Sequence, residues 1–86
     1  MEKVVILQNE SGLHARPAGQ FVKVASKFDS EIEIEVNGNK VNAKSIMSMM
    51  GLGAAQGDEI RIIANGKDEE KAINELVELV NNKFGE

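Results

Sequence analysis

The segment Glu31-Ile32-Glu33-Ile34-Glu35-Val36-Asn37-Gly38 decides the fold class of this 86-residue chain. Its first six residues alternate glutamate with a branched aliphatic residue, which is the period of a strand with one buried and one exposed face. The Asn37-Gly38 pair is typical of a tight turn and predicts a hairpin whose returning strand is residues 40–43. The glutamates are therefore expected to face solvent.

Two amphipathic helices are predicted, one on each side of this hairpin. Residues 15–27 carry apolar side chains at helical spacing, and Pro17 fits the first turn, where a missing N–H group is tolerated. The second helix is expected to begin after Asp68, whose side chain can cap it, and to end at Gly85. Each has the apolar stripe of a helix that packs against a core.

The β-branched runs at residues 3–7 and 59–64 predict a first and a fourth strand. In the resulting order, β-α-β-β-α-β-α, the first two strands are joined through a helix and should run parallel. The fourth strand fits between them. We therefore expect an α+β fold in a single domain over residues 1–86, an open-faced two-layer β-sandwich. Its four-stranded antiparallel sheet has the order 1-4-2-3, with three helices on one face.

A short helix is predicted between the third and fourth strands. Ser45 is a favoured N-cap residue, and Gly51 and Gly53 offer a C-terminal stop after one to two turns. The apolar residues of this segment are Ile46, Met47, Met49, Met50 and Leu52. So short a helix cannot bury them all, so we expect some in the core and others at the surface, where methionine suits adaptable binding.

The segment Gly12-Leu13-His14-Ala15-Arg16-Pro17-Ala18 holds the only histidine and the only proline of the chain. His14 is expected where the loop after the first strand meets the first helix, a junction that gathers unpaired N–H groups and the positive end of a helix dipole. A neutral imidazole is a good nucleophile toward phosphorus, so His14 beside Arg16 suggests a phosphoryl acceptor. The alternative is a surface histidine at a helix start with no chemical task.

The neighbouring residues also have purely structural interpretations. Arg16 is either a solvated surface charge or, next to His14, a ligand of the phosphoryl group. Pro17 starts the helix and stiffens the loop that carries His14. Ser45 acts as an N-cap, and a phosphate on it would suit the helix dipole while placing about two negative charges beside the apolar residues that follow.

Composition disfavours several classes of function. The net charge of −4 argues against nonspecific nucleic-acid binding, and one histidine with no cysteine gives little support for a metal site or a disulfide. No apolar run approaches the roughly 20 residues of a membrane span, and residues 1–3 do not resemble the start of a signal peptide. We expect a cytoplasmic protein without a metal or cofactor, and a monomer if it must present one surface to several partners.

Residues 12–18, followed by Lys44-Ser45-Ile46-Met47, resemble the HPr family, the histidine-containing phosphocarriers of the phosphoenolpyruvate-dependent sugar phosphotransferase system. The resemblance covers the whole chain, and the family's open-faced β-sandwich agrees with the predicted element order. It implies that His14 takes a phosphoryl group on Nδ1 from enzyme I and passes it to a histidine of a sugar-specific enzyme IIA. Arg16 would be the arginine of the phosphate site. Such a protein is a carrier with a covalent phosphohistidine rather than an independent catalyst.

The second motif resembles the Gram-positive type of the family. That resemblance implies that the HPr kinase/phosphorylase phosphorylates Ser45 with ATP. It also implies that the modified form serves as a co-repressor, with a catabolite-control transcription factor, in carbon catabolite repression. Ser48 departs from this branch, which often has glycine there, and adds a second hydroxyl to the short helix. Partner docking is expected at Ala15, Gln20, Ile46, Met47, Met50 and Leu52.

Three functions remain open on the sequence. The first is a phosphocarrier for sugar transport, and the second is a regulatory HPr-like module or transcriptional co-effector with little role in transport. The third is an interaction domain with an unused histidine. His14 favours the first, because a glutamine there would favour the regulator. An independent enzyme is disfavoured, since the sequence offers no second catalytic base near His14, no metal cluster and no nucleotide-binding loop.

Overall fold

The computed structural model describes residues 1–85, which form four strands and three α-helices in the predicted order. The elements are β1 (Glu2–Ile6), α1 (Ala15–Ala25), β2 (Glu31–Val36), β3 (Asn39–Asn42), α2 (Ile46–Gly51), β4 (Glu59–Asn65) and α3 (Glu69–Asn81). A turn over Lys83–Gly85, in which Lys83 and Phe84 both have φ 55°, follows α3. Glu86, the last residue of the predicted domain, lies outside the described residues. No helix within residues 1–85 is long and apolar enough to cross a membrane.

The sheet has the order β1-β4-β2-β3, so β4 lies between β1 and β2. Each neighbouring pair is antiparallel, with Val5 opposite Ile60 and Ile34 opposite Ile62. Because β4 is antiparallel to both of its neighbours, β1 and β2 run in the same direction, as their helical connection predicted. The predicted sheet order and the α+β class are confirmed.

One face of the sheet packs against the helices to form the core. The sheet contributes residues such as Val5, Ile34 and Ile62, α1 contributes Phe21, and α3 contributes Leu76. On the opposite face, the glutamates of β2 are exposed or half-buried, as their alternation predicted. The molecule is therefore an open-faced sandwich with its helical layer on one side.

The turn between β2 and β3 confirms the tight-turn prediction. Asn37 has φ 52° and Gly38 has φ 83°, and two successive positive φ angles are the conformation that matches the twist of a hairpin. Asparagine and glycine tolerate this conformation better than other residues. The strand bounds differ from the predicted ones by a single residue at β1, β3 and β4, because the ends of elements fray.

Both long helices end earlier than predicted. α1 stops at Ala25 rather than at residue 27, because the N–H of Lys27 bonds to a carbonyl only three residues back and tightens the last turn. α3 stops at Asn81 rather than at Gly85. Beyond it, Phe84 has φ 55° and a buried ring, so the chain turns back toward the core instead of continuing the helix.

Asp68 does not cap α3 with its side chain, contrary to the prediction. Its carboxylate accepts hydrogen bonds from the N–H of Asp29 (2.9 Å), from the N–H of Ser30 (3.0 Å) and from the Ser30 hydroxyl. These bonds join the α1–β2 loop to the start of α3, across 38 residues of sequence. The Ser30 hydroxyl and the Asp29 N–H lower the pKa of the Asp68 carboxyl, because they stabilise its charged form.

Asp68→Asn should lower the melting temperature at neutral pH, because the amide replaces one accepting oxygen with a donor that faces N–H and O–H groups. Since the pKa of Asp68 is lowered in the folded state, its contribution is present above the carboxyl pKa of the unfolded chain. That contribution disappears as the pH falls through the folded-state value. The difference in melting temperature between Asp68→Asn and the wild type should therefore disappear below about pH 4.

Thermal unfolding followed by circular dichroism across this pH range measures this difference. Glu70→Gln is the matched control, since Glu70 lies in the same first turn of α3 and is exposed. An equal loss in both variants, or a loss from Asp68→Asn that persists in acid, would show that these bonds do not stabilise the fold.

Candidate functional site

His14 is the N-cap residue of α1 and the last extended residue before the helix. Its backbone has φ −73° and ψ −177°, and its C=O accepts the N–H of Ala18 at 2.9 Å. The His14 side chain makes no capping hydrogen bond and is exposed. The structure therefore places His14 at the helix start, as predicted, with its imidazole accessible to solvent.

The loop before His14 is held against the segment that follows α2. Leu13 is buried and donates its N–H to the C=O of Ala54 at 3.0 Å. Gly12 has φ +61°, and a Cβ at this position would lie 2.5 Å from the oxygen of Ala54 and 2.9 Å from the Cα of Ala55. Glycine is required on both counts. The close packing of Gly12 and Leu13 against residues 54–55 brings His14 beside the C-terminal end of α2.

Asn9 stabilises the same loop from inside, a role that the sequence pattern did not indicate. Asn9 is 1% exposed, and its Nδ2 donates to the C=O of Gly12 at 2.8 Å and to Oγ of Ser11 at 3.1 Å. The N–H of Gly12 donates in turn to the C=O of Asn9 at 3.1 Å. Asparagine in a turn often bonds to nearby backbone, but no spacing in the sequence marked this one as buried.

The exposed surface around His14 is polar and carries both signs of charge. Ala15 and Arg16 are exposed in the first turn of α1, whereas Pro17 is buried there. An open depression is lined by Glu10, Ser11, His14, Ala15, Arg16 and Pro17. The structure thus brings the predicted phosphate-site residues together and adds Glu10 and Ser11, which were predicted only as loop.

The donors at this site suit an oxyanion. Arginine and first-turn N–H groups favour anions, and a single imidazole beside a single carboxylate is a sparse ligand set for a metal. Within the described residues, no group of three or more His, Cys, Asp or Glu side chains is arranged to hold a metal ion.

Ser45 is the N-cap of α2, as predicted. Its Oγ accepts the N–H of Ser48 at 3.3 Å. The preceding residue, Lys44, donates from Nζ to the C=O of Phe28 at 2.8 Å, which fastens the start of α2 to the turn after α1. Ser45 is half-buried, so its side chain is only partly accessible in the capped conformation.

The apolar side chains of α2 divide between core and surface, as expected for so short a helix. Met49 is fully buried, whereas Met47 is 78% exposed and Met50 is 44% exposed. Ile46 is also exposed, and Leu52 is half-buried. α2 therefore presents an exposed apolar surface while a single methionine anchors it to the core.

α1 and α2 contribute to one continuous surface. His14 and Met50 line the same depression, together with residues 53–55. Further along α1, a Cβ placed on Gly19 would lie 3.8 Å from Cδ1 of Ile46, and the adjacent Gln20 is half-buried. The predicted phosphate site and the predicted docking helix therefore lie side by side.

Together, the fold and the site define a class: small α+β domains that present one histidine at a helix start, beside an exposed apolar helix. A family model described as the PTS HPr component phosphorylation site matches residues 1–82. The chain therefore belongs to the HPr family, the phosphocarrier proteins of the phosphotransferase system.

Solved structures agree with this assignment. HPr-C-His from Thermoanaerobacter tengcongensis is 52% identical, with 100% of this chain and 97% of that chain covered and a TM-score of 0.97. The phosphocarrier protein HPr from Bacillus anthracis is 42% identical, with coverages of 93% and 95% and a TM-score of 0.89. Crh from Bacillus subtilis is 43% identical, with coverages of 92% and 91% and a TM-score of 0.78, and is described as a domain-swapped dimer. The monomeric state of this chain therefore remains a prediction.

Gly12→Ala should destabilise the fold by about 2–4 kcal/mol, because the methyl group adds a clash with backbone atoms to the strain of a left-handed residue. Gly53→Ala is the matched control: Gly53 has φ +64°, and nothing lies within 4 Å of an added Cβ. The free energy of unfolding of Gly53→Ala should fall by about 1–2 kcal/mol, from the backbone strain alone. Urea unfolding of both variants measures the difference, and equal losses would contradict a steric requirement for glycine against Ala54.

Proposed function

We propose that this chain accepts phosphoryl groups on Nδ1 of His14 from phospho-enzyme I and passes them to a histidine of a sugar-specific enzyme IIA. The observation that carries the proposal is the exposed imidazole of His14 at the start of α1, which takes no part in capping the helix. A side chain held in this way is accessible to an incoming phosphorus atom. Membership of the HPr family supports the same chemistry.

In the proposed transfer, the unprotonated ring nitrogen of His14 attacks phosphorus while the bond from phosphorus to the donor breaks. The phosphohistidine adds about two negative charges. The dipole of α1, its first-turn N–H groups and the guanidinium of Arg16 favour those charges. Glu10 lines the same depression and opposes them. The stabilisation therefore stays moderate, which onward transfer to enzyme IIA requires.

Both partners are proposed to dock on the surface shared by α1 and α2. Met47 and Met50 are exposed there, and Met50 borders the depression that contains His14. Exposed methionines adapt to partners of different shape. Because the donor and the acceptor use one surface, they bind in turn, as a carrier requires. The proposed docking residues are Ala15, Gln20, Ile46, Met47, Met50 and Leu52.

Ser45 is the proposed site of regulatory phosphorylation by an ATP-dependent HPr kinase/phosphorylase. A phosphate at this N-cap would meet the positive end of α2, so the helix need not unfold. The same charge would lie beside Ile46 and Met47, and would weaken the docking of enzyme I by repulsion and desolvation. The phosphorylated form would then bind a catabolite-control transcription factor. We place this activity in a cytoplasmic, monomeric, single-domain protein.

A second candidate function is a regulatory HPr-like module with little role in sugar transport. It is favoured by the similarity to Crh, whose description refers to catabolite repression. The two functions differ in the use of His14. In a carrier this residue is repeatedly phosphorylated and dephosphorylated, whereas in the regulatory module it has no chemical task.

Phosphorylation by enzyme I tests whether the chain is a phosphocarrier or a regulatory module. Incubation with phosphoenolpyruvate, magnesium and an enzyme I proven active on another HPr should add one acid-labile phosphate to the wild type, as measured by intact mass. His14→Ala should accept none and should keep the wild-type melting temperature, because the side chain is exposed. A folded wild type that accepts no phosphate would contradict the carrier and favour the regulatory module.

Ser45→Asp should reduce the rate of phosphorylation by enzyme I by roughly tenfold, through its negative charge at the docking surface. Ser45→Asn is the matched control, because asparagine caps a helix as well as aspartate does and has nearly the same shape without the charge. It should stay within about twofold of wild type. Initial rates at several salt concentrations provide the measurement, and equal rates for the two variants would refute regulation by charge at Ser45.

A further inference from the structure

We propose that Asn9 is a positioning residue for phosphoryl transfer at His14. Its buried side-chain amide holds the Gly12–Leu13 peptide group, and through it the residue that carries the phosphoryl group. Asn9 touches neither the phosphoryl group nor the partners in this proposal, and acts only by fixing the loop. The inference rests on the proposed function of His14 as a phosphoryl acceptor.

The Gly12–Leu13 peptide group is held from both of its polar ends. Its C=O accepts the Nδ2 of Asn9 at 2.8 Å, and its N–H donates to the C=O of Ala54 at 3.0 Å. Leu13 is buried, so His14 is the first residue after this peptide whose side chain is exposed. Rotation of the peptide plane would break one of the two bonds. It would also change the direction in which the backbone enters His14.

Asn9 is suited to this task because it is itself fixed. It is 1% exposed, its Nδ2 also bonds to Oγ of Ser11 at 3.1 Å, and its own C=O accepts the N–H of Gly12 at 3.1 Å. Only the Nδ2 end of the amide can donate to a carbonyl, so the Gly12 contact sets the orientation of the side chain. Aspartate has the same shape but, when ionised, has no donor for this contact.

The other end of the amide indicates that Asn9 does more than fill space. Its Oδ1 is buried, and no protein group within residues 1–85 donates to it. An apolar residue would fill the same space without burying this acceptor, so the choice of an amide is explained by the bond that its Nδ2 makes to the C=O of Gly12.

The position of Asn9 also predicts which kinetic step it affects. Asn9 is buried in the loop before α1, whereas Met47 of the proposed docking surface is 78% exposed and lies on α2. Loss of the Asn9 amide should therefore leave the binding of enzyme I intact and misalign the imidazole within the complex. Small misplacements of a reacting group lower the rate of the chemical step steeply.

The test uses full-length wild type, Asn9→Asp, Asn9→Ala and Gln56→Ala as varied substrates of enzyme I charged by phosphoenolpyruvate. Both Asn9 variants should lose about tenfold or more in kcat at unchanged KM. Gln56→Ala removes a different side-chain amide bond to the same connection, from Nε2 of Gln56 to the C=O of Gln8 at 3.0 Å. It keeps the bond from Asn9 to Gly12 and should stay within about twofold of wild type. All four proteins are assayed well below their melting temperatures, so that a loss of stability alone does not lower the rate.

A change of pH then separates positioning from packing. The carboxyl group that Asn9→Asp introduces should become protonated as the pH falls, the more readily because burial raises its pKa, and can then donate to Gly12. The kcat of Asn9→Asp relative to wild type should therefore rise from about pH 8 to 5.5, while that of Asn9→Ala should not. Glu10, His14 and Arg16 on the same loop and helix start, and Asp58 beyond Ala54, are shared by all proteins, so their titration cancels in the ratio.

Hydrogen exchange gives a measurement that does not depend on phosphoryl transfer. The Leu13 amide, which bonds to Ala54, should exchange about tenfold faster in Asn9→Ala, while amides in the centre of β4 keep wild-type protection. This result, together with a loss confined to kcat and a pH-dependent recovery of Asn9→Asp, would support the proposal.

Two outcomes would overturn it, and they are distinguishable. If the wild type accepts phosphate and Asn9→Asp matches it at every pH, or loses activity only through KM, Asn9 has no positioning role and the proposed carrier function stands. If the wild type accepts no phosphate, the carrier function fails and the role of Asn9 fails with it.

Discussion

The close approach of Gly12 to Ala54 is the constraint on which the candidate site depends. The chain passes so near the segment after α2 that a Cβ at residue 12 would lie 2.5 Å from the Ala54 oxygen. The adjacent hydrogen bond from Leu13 to Ala54, at 3.0 Å, is worth only about 1 kcal/mol by itself. Its value is geometric, because it connects the segment after β1 to the segment after α2 and so places His14 beside α2.

The short helix α2 divides its apolar side chains between the core and the exposed surface. Full burial of a methionine is worth about 1.5–3 kcal/mol. Met49 is fully buried, whereas Met47 gives up most of that gain at 78% exposure. The isoleucines that β2 and β4 bury beneath α1 and α3 supply a core that does not depend on α2 alone. α2 can therefore present apolar side chains outward without loss of the fold.

Much of the fold follows from local pattern. The alternation over Glu31–Val36 and the Asn37-Gly38 pair specify the hairpin, and the helical connection between β1 and β2 orders the sheet. The position of His14 at a helix start could also be inferred, because Pro17 and the apolar spacing mark the first turn of α1.

Contacts between distant segments could not be inferred in this way. Local capping rules assigned the carboxylate of Asp68 to its own helix, whereas it bonds to Ser30, 38 residues away. Asn9 gave no periodic signal, because its importance comes from burial by a segment far along the chain. Phe84 adopts a left-handed conformation that its residue type disfavours, and only the packing of its ring against the core explains it.

The bond between Leu13 and Ala54 also orders events during synthesis of the chain. A chain leaves the ribosome from its N-terminus, so His14 emerges before α2 and the segment after it. A nascent chain thus displays the histidine without the carbonyl that later restrains its loop. The final geometry of the loop that carries His14 is therefore reached only when the second half of the molecule has folded against the first.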